Sequence, residues 1–284
     1  MDFAAPGDTS AARVGIGDRL AALVRVPTVS AERESRGDGP FEDLIALLAE
    51  LYPLTHRHLA CERFGLGLVY TWAPADSRDA DPVVLMAHYD VVPVSGQEAE
   101  WSVPPFEGRI ADGHVYGRGS LDDKGALCTL LDAVENLLAE GWTPPRPVLI
   151  CLGPDEEVHG TTAKAMATAL HERGVQPWFV LDEGGAVSEV PFPGVSGAFA
   201  VVGLAEKGVL TVELAAGGTG GHASAPTGLT AVGRIGRAVA RLNRNPFDIR
   251  MSRTVVGLLA ALADHAEGAS ARAWRAAAAA PWLA

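Results

Sequence analysis

Three short apolar runs in this chain each lead directly into ionisable residues. Val83-Val84-Leu85-Met86-Ala87 runs into His88-Tyr89-Asp90. Val148-Leu149-Ile150-Cys151-Leu152 runs through Gly153 into Pro154-Asp155-Glu156-Glu157, and Trp178-Phe179-Val180-Leu181 runs into Asp182-Glu183-Gly184. A short continuous apolar run reads as a strand buried in a sheet. The intervening segments carry helical spacing, 124–140 ended by Gly141 and 162–173 closed by Gly174. Strands alternating with helices predict an α/β fold, a sheet with helices on both faces. In open α/β sheets ligands bind beyond the carboxyl ends of the strands. Charges gathered there are costly unless compensated, and a cation is the simplest compensation.

The rest of the chain supplies the frame. Residues 11–26 and 40–51 place apolar side chains at helical spacing, as in Phe41, Leu44, Ile45, Leu47 and Leu48, and Pro27 and Pro53 are expected to stop them. Strand-like runs follow at 57–63 and 66–72, and a polar loop carries Trp101, Pro104 and Pro105. After about residue 205 the character changes: Val209 to Ala215 alternates as a half-exposed strand does, GGTGGH makes a turn, 229–242 reads as a helix, and 254–280 is Ala-rich and helical in pattern. The expected organisation is an α/β domain over 1–204 and a smaller α+β unit over 205–284.

Composition excludes some classes of function. The net charge of −12 repels nucleic acid and anionic lipid. No apolar run reaches the ~20 residues that span a bilayer. The three cysteines, Cys61, Cys128 and Cys151, show no CxxC spacing and read as small buried thiols in a reducing compartment. The first residues, MDFAAPGDTSAARVG, lack a basic and apolar leader, so the expected location is the cytoplasm.

The ionisable residues at the strand ends are imidazole and carboxylates without thiolate, a donor set that suits zinc, with cobalt or manganese fitting similar ligands. The i, i+2 spacing of His88 and Asp90 lets the carboxylate hold the second imidazole nitrogen. Adjacent Glu156 and Glu157 can divide labour, one binding metal while the other stays free as a general base. The loop Gly117-Arg118-Gly119-Ser120-Leu121-Asp122-Asp123-Lys124-Gly125 is a rigid place for a carboxylate shared by two metals. Each piece alone is weak: an HxD arises by chance, paired glutamates usually form a solvated face, and Asp-Asp-Lys-Gly is usually a helix N-terminus. Their joint placement after successive buried strands carries the argument. Other candidates are weaker. His56 and His58 share a strand face and read as solvated, His114 sits in a turn, His171 lies on a helix surface, and His159 falls near the glutamate pair. GGTGG lacks the Lys-Ser/Thr of a P-loop, so nucleotide binding is rejected.

With these residues in place, the stretches AHYDVVPV, WSVPPFEGRI, GRGSLDDKG, GPDEEVHGT, LDEGG and GGHASAP resemble the di-zinc metallopeptidase family of carboxypeptidase S, aminoacylase, ArgE, DapE and glutamate carboxypeptidase. They are nearest to the branch of carboxypeptidase S and the N-acyl amino acid hydrolases. The resemblance implies a zinc-peptidase-like catalytic domain, a mixed sheet flanked by helices, with an α+β lid that dimerises. It implies two zinc ions per site. His88 and Asp182 would hold one metal, Glu157 the other, and Asp122 would bridge both across a cis Asp122–Asp123 peptide. Glu156 would be the general base, Asp90 would orient His88, and His222 of the lid would reach a partner subunit's site to steady the oxyanion. The expected reaction is hydrolysis of the amide of a small peptide or N-acyl amino acid bearing a free carboxylate. In the family the chain returns after the lid to supply a last histidine and a carboxylate grip. His265, in an Ala-rich helical segment, does not match that ligand, so both domains are expected to be incomplete and the chain to be an N-terminal portion. A fragment without activity that retains metal binding or dimerisation is the alternative.

Overall fold

β-Branched and aliphatic runs form the sheet that carries the site. Its strands are β1 (Ala60–Phe64), β2 (Gly67–Trp72) and β3 (Val83–His88), followed after a separate hairpin of β4 (Arg109–Ala111) and β5 (His114–Tyr116) by β6 (Val148–Gly153) and β7 (Phe179–Leu181). The order is β1-β2-β6-β3-β7. The β1–β2 and β2–β6 pairs are antiparallel, whereas β3 runs parallel to both β6 and β7. His88 lies opposite Gly153 in the register, so the ends of β3 and β6 open side by side. The computed structural model describes residues 13–73, 80–96, 98–184, 187–188, 192–204, 208, 210–218, 220–222, 224, 228–246 and 251–279.

Helices cover both faces. On one, Leu44 and Leu48 of α3 (Gly39–Leu51) and Leu127 and Leu131 of α5 (Lys124–Ala139) pack with Leu68, Tyr70, Ile150 and Leu152 of the sheet. On the other, Met166 of α6 (Thr161–Glu172) packs on Val69, Val84, Leu149 and Cys151. Each fully buried side chain of this size stabilises the fold by ~1.5–3 kcal/mol. Two buried polar links fix the helices. Arg19 of α1 (Ile16–Val24) donates twice to Asp132 of α5, at 2.7 and 2.6 Å. Glu135 of α5 accepts from the backbone of Leu54 and Thr55 at 2.8 and 2.9 Å, which caps the first turn of α4 (Pro53–His58).

That short helix corrects the sequence expectation. Pro53 opens a helix instead of only ending one, because at the first helical position its missing N–H costs nothing. His56 and His58 therefore lie on α4, and His56 is held between Tyr52 O and Tyr70 Oη, both at 2.9 Å.

The chain divides into two units between Glu183 and Gly184, earlier than the change in composition near residue 205. The reason is local packing: Trp274 donates to Pro193 O at 2.9 Å and Glu267 N to Gly194 O at 3.0 Å, so the segment around 192–200 belongs with the later helices. The second unit contains α7 (Ala231–Arg244), α8 (Arg253–His265) and α9 (Gly268–Ala279). Thr230 and Ser252 cap the first two of these at 3.1 and 3.2 Å. The Ala-rich stretch breaks at extended Ala266 into α8 and α9. The described residues of 209–215 form no strand, and Leu210 and Val212 are exposed. Among the described residues, no helix is long and apolar enough to cross a membrane.

Candidate metal centre

The site assembles from four chain segments of the first unit. His88 is the last residue of β3 and is buried, as expected where β3 and β6 run parallel in the sheet interior. Asp90, two residues on, is fully buried. Its carboxylate lies 3.2 Å from His88 Nδ1 and accepts from the backbone N–H groups of Glu156 and Glu157, each at 3.1 Å. One carboxylate thus orients the imidazole and anchors the 3₁₀ turn (Glu156–Val158) that follows β6. A buried anion with this set of partners is well compensated.

The loop before α5 brings Asp122 to the same place, with Oδ1 3.0 Å from His88 Nε2. The loop closes tightly because two positions lack a side chain. A Cβ on Gly119, whose φ is +83°, would lie 2.6 Å from Val91 Cγ1, and one on Gly125 would lie 2.4 Å from Ser120 O. The Asp122–Asp123 peptide is cis. Asp123 is buried and accepts from the backbone N–H of His88 at 3.1 Å. Burial first, with Glu183 and Asp122 adding repulsion against the His88 contacts, pushes its pKa up to about 7. Lys124 is wholly buried, and its Nζ donates to Leu23 O at 3.1 Å and Val26 O at 2.6 Å, closing the C-terminal end of α1. Burial pushes its pKa down to about 7, opposed by Asp90. The sequence marks neither residue, because Asp-Asp-Lys-Gly reads locally as an ordinary helix start.

After β7, Glu183 Oε2 lies 3.2 Å from His88 Nε2. Asp182, the ligand expected from the sequence, lines a cavity of about 320 Å³ at the strand ends together with His88, Glu156 and His159. Ligand atoms of His88, Asp122 and Glu183 all lie within 4.8 Å of one another. Asp182 and Glu183 lie just past the end of β7, where the alternation that sorts side chains between faces no longer holds, so two adjacent carboxylates there look alike in sequence.

Electrostatics supports a cation at this cluster. Burial opposes a charged imidazole at His88, but the Asp90 hydrogen bond and the charges of Asp90, Glu183 and Asp123 outweigh it and push its pKa up to about 10. Glu157 is held above the usual carboxylate range by burial, then by Asp122, Asp90 and Glu156, with His88 opposing. Glu183 is raised by burial, then by Asp122, Glu156 and Asp182, again with His88 opposing. A surplus of carboxylates that retains a proton on His88 would hold a divalent cation in its place. The imidazole and two carboxylates fit a catalytic zinc with one open position. His222 lies in the second unit, exposed, with Nδ1 3.4 Å from Ser224 Oγ.

This sheet gathers histidine and carboxylates beyond its parallel strand ends in an arrangement that could hold a metal. The chain belongs to peptidase family M20/M25/M40, whose model matches residues 84–274. It is 36% identical over 258 residues to the N-fatty-acyl-amino acid synthase/hydrolase PM20D1 of Homo sapiens, covering 89% of this chain and 50% of that protein. It is 35% identical over 271 residues to carboxypeptidase S of Saccharomyces cerevisiae, covering 89% of this chain and 46% of that protein. The M20 family metallo-carboxypeptidase Sso-CP2 from Sulfolobus solfataricus shares the fold, with a TM-score of 0.50 at 21% identity over 62% of this chain and 38% of that one. The chain spans about half the length of the curated relatives it matches.

Proposed function

We propose that this protein is a zinc-dependent hydrolase of amide bonds in small peptides or N-acyl amino acids with a free carboxylate. The observation that carries the reading is the convergence of His88, Asp122 and Glu183 within 4.8 Å beside the Glu156–Glu157 turn. His88, Asp122 and Glu183 would hold one metal, and Glu157 with Asp122 would contribute to a second. Asp182, which lines the adjoining cavity, is the alternative to Glu183. A bound divalent metal supplies Lewis-acid polarisation of the scissile carbonyl and lowers the pKa of a water. Asp90 fixes the imidazole so that Nε2 faces the cluster. Glu156, whose backbone Asp90 anchors, takes the proton from the attacking water and returns it to the leaving nitrogen. His222 steadies the developing oxyanion in a partner subunit's site, the role that makes a homodimer the working form. The relatives' names, an N-fatty-acyl-amino acid synthase/hydrolase and a carboxypeptidase, support both substrate types. Three unpaired cysteines support a reducing compartment such as the cytoplasm.

A second reading has its own support. Among the described residues only one three-residue ligand group forms, which favours metal binding without turnover. The zinc-loaded chain, assayed on N-acetyl amino acids and dipeptides, separates the two. Under the hydrolase reading Glu156→Gln loses roughly 10²–10⁴ in rate at unchanged metal content. Wild-type protein that holds zinc but hydrolyses nothing leaves the second reading, and a Glu156→Gln rate within a few-fold of wild type removes Glu156 as the base.

A further inference from the structure

We propose that His159 is a specificity-determining residue of the site, its imidazole donating a hydrogen bond to the free carboxylate of the substrate. The proposal rests on the hydrolase reading and adds a residue to it. His159 follows the glutamate turn, and its backbone N–H donates to Glu156 O at 3.1 Å, which places it one turn beyond the proposed base. Its φ of +94° and ψ of 2° lie in the left-handed region, which few residues with a side chain adopt. Glycine takes that backbone without strain, and the chain uses glycine at the next left-handed position, Gly160, where φ is +57°. At 159 it carries an imidazole instead. His159 is exposed and lines the cavity of about 320 Å³ at the strand ends, so its ring fills no core that would account for it. A strained residue at the edge of a site is a reason to look for a role in binding.

The other groups around the cavity define what the ring can bind. His88 is engaged by Asp90, Asp122 and Glu183. Asp155 is spent on the start of α6, where its carboxylate accepts from Thr161 Oγ1 at 2.6 Å and from Thr162 N at 3.1 Å. Glu156, Asp182 and His159 are the ionisable groups that remain in the lining. Among the described residues that line the cavity there is no lysine or arginine. A substrate carboxylate entering beside Glu156 and Asp182 meets like charge, and His159 is the side chain there with an N–H to offer it. A neutral imidazole already donates one N–H, so the contact needs no second proton on the ring. A hydrogen bond to an ionised acceptor is roughly twice as strong as one between neutral groups, so the ring discriminates a carboxylate from a carboxamide. Substrate geometry sets where such a donor must be. In an amide-linked amino acid three bonds, less than about 4.5 Å, separate the scissile carbonyl carbon from the carboxyl carbon. The donor for the carboxylate therefore has to sit close to the base that serves the carbonyl, as His159 does one turn from Glu156.

Titration of the zinc-loaded chain with N-acetylalanine and with its carboxamide, N-acetylalaninamide, tests this in wild type, His159→Gly and His159→Asn. Loss of a hydrogen bond to an ionised group corresponds to roughly tenfold or more in affinity. His159→Gly should therefore weaken acetylalanine binding about tenfold or more and carboxamide binding less than about threefold. A direct contact of either ligand with zinc is common to both proteins and cancels in this comparison. Asparagine tolerates a left-handed backbone and offers an N–H, so His159→Asn should bind acetylalanine within about threefold of wild type. Two readouts separate this role from a structural one. Metal-free His159→Gly should melt no lower than wild type, because glycine relieves the φ of +94°. The ring-proton resonance of His159, identified by its absence from His159→Gly, should shift when acetylalanine is added. Acetylalanine affinity that His159→Gly retains overturns the proposal, and so does a wild type that binds neither ligand. An equal loss for both ligands makes His159 part of the cavity wall, and a zinc equivalent lost with the ring makes it a metal ligand; the proposal fails in either case. Hydrolysis of acetylalanine measured in parallel keeps the two claims apart. Turnover by wild type, with acetylalanine affinity unchanged in His159→Gly, removes the His159 assignment alone. Carboxylate-selective binding that His159→Gly loses, without any turnover by wild type, removes the hydrolase reading and leaves His159 as the carboxylate donor.

Discussion

Replacing Asp90 by Asn tests how the metal site is held. The carboxylate serves three donors: Oδ1 faces His88 Nδ1 at 3.2 Å and Glu156 N at 3.1 Å, and Oδ2 takes Glu157 N at 3.1 Å. An amide has one oxygen. Kept on His88 and Glu156, it turns its NH₂ onto the Glu157 N–H, so a donor meets a donor. The flipped amide makes the same conflict with His88 and Glu156. The site is fully buried, and no solvent replaces the lost partner. Loss of one hydrogen bond to a charged acceptor costs ~1.5–3 kcal/mol. In a unit of this size each kcal/mol lowers the midpoint by ~2–4 °C, so the metal-free variant should melt roughly 3–12 °C below wild type. The imidazole also loses its anionic partner and becomes a weaker donor, which typically lowers metal affinity ~10–100-fold. Thermal unfolding of the metal-free chain and zinc competition against a chromogenic chelator read the two effects separately. A folded Asp90→Asn variant with wild-type zinc affinity within threefold would refute the assignment of Asp90 as the group that fixes His88 and the glutamate turn.

Three further variants probe the ligand set and His222. Glu183→Ala should weaken zinc binding at least tenfold and Asp182→Ala by less than threefold, because Glu183 alone of the pair lies 3.2 Å from His88 Nε2; chelator competition giving the reverse order would restore Asp182 as the ligand. His222→Ala should act in trans: mixed with inactive Glu156→Gln subunits it should recover part of the activity in hybrids, since removal of one oxyanion donor costs ~3–4 kcal/mol in whichever site lacks it. Hybrids that stay inactive despite demonstrated subunit exchange would confine His222 to its own chain or to no catalytic role.

The framework of the site was legible because buried parallel strands print themselves as continuous apolar runs, and the residues just after them must line the sheet's open end. That rule, with the motif resemblance, picks out His88, Asp90 and Asp122, which the structure brings into contact. What escaped depends on tertiary contacts. The choice between Asp182 and Glu183 turns on which side of the chain faces His88 after β7, where no periodicity remains. Asp123 and Lys124 read as a solvated helix start, yet Asp123 binds the backbone of His88 and Lys124 reaches the end of α1, contacts thirty-five and about a hundred residues away in sequence. Pro53 signalled a stop, and Glu135, distant in sequence, supplied the cap that lets a helix begin there. The alternation at 209–215 predicts a face but supplies no partner strand, and ladder pairing is what makes a strand.

The central claim is that His88 anchors a divalent metal among the strand-end carboxylates. Zinc content after exhaustive dialysis, measured on wild type and on His88→Ala shown to be folded by circular dichroism, tests it most directly. The three protein ligands at His88 predict one equivalent retained per wild-type chain, with the position at Glu157 filled only at high zinc, and loss of the tight equivalent in His88→Ala. No zinc retained by wild type, or equal retention by the two proteins, would contradict the account.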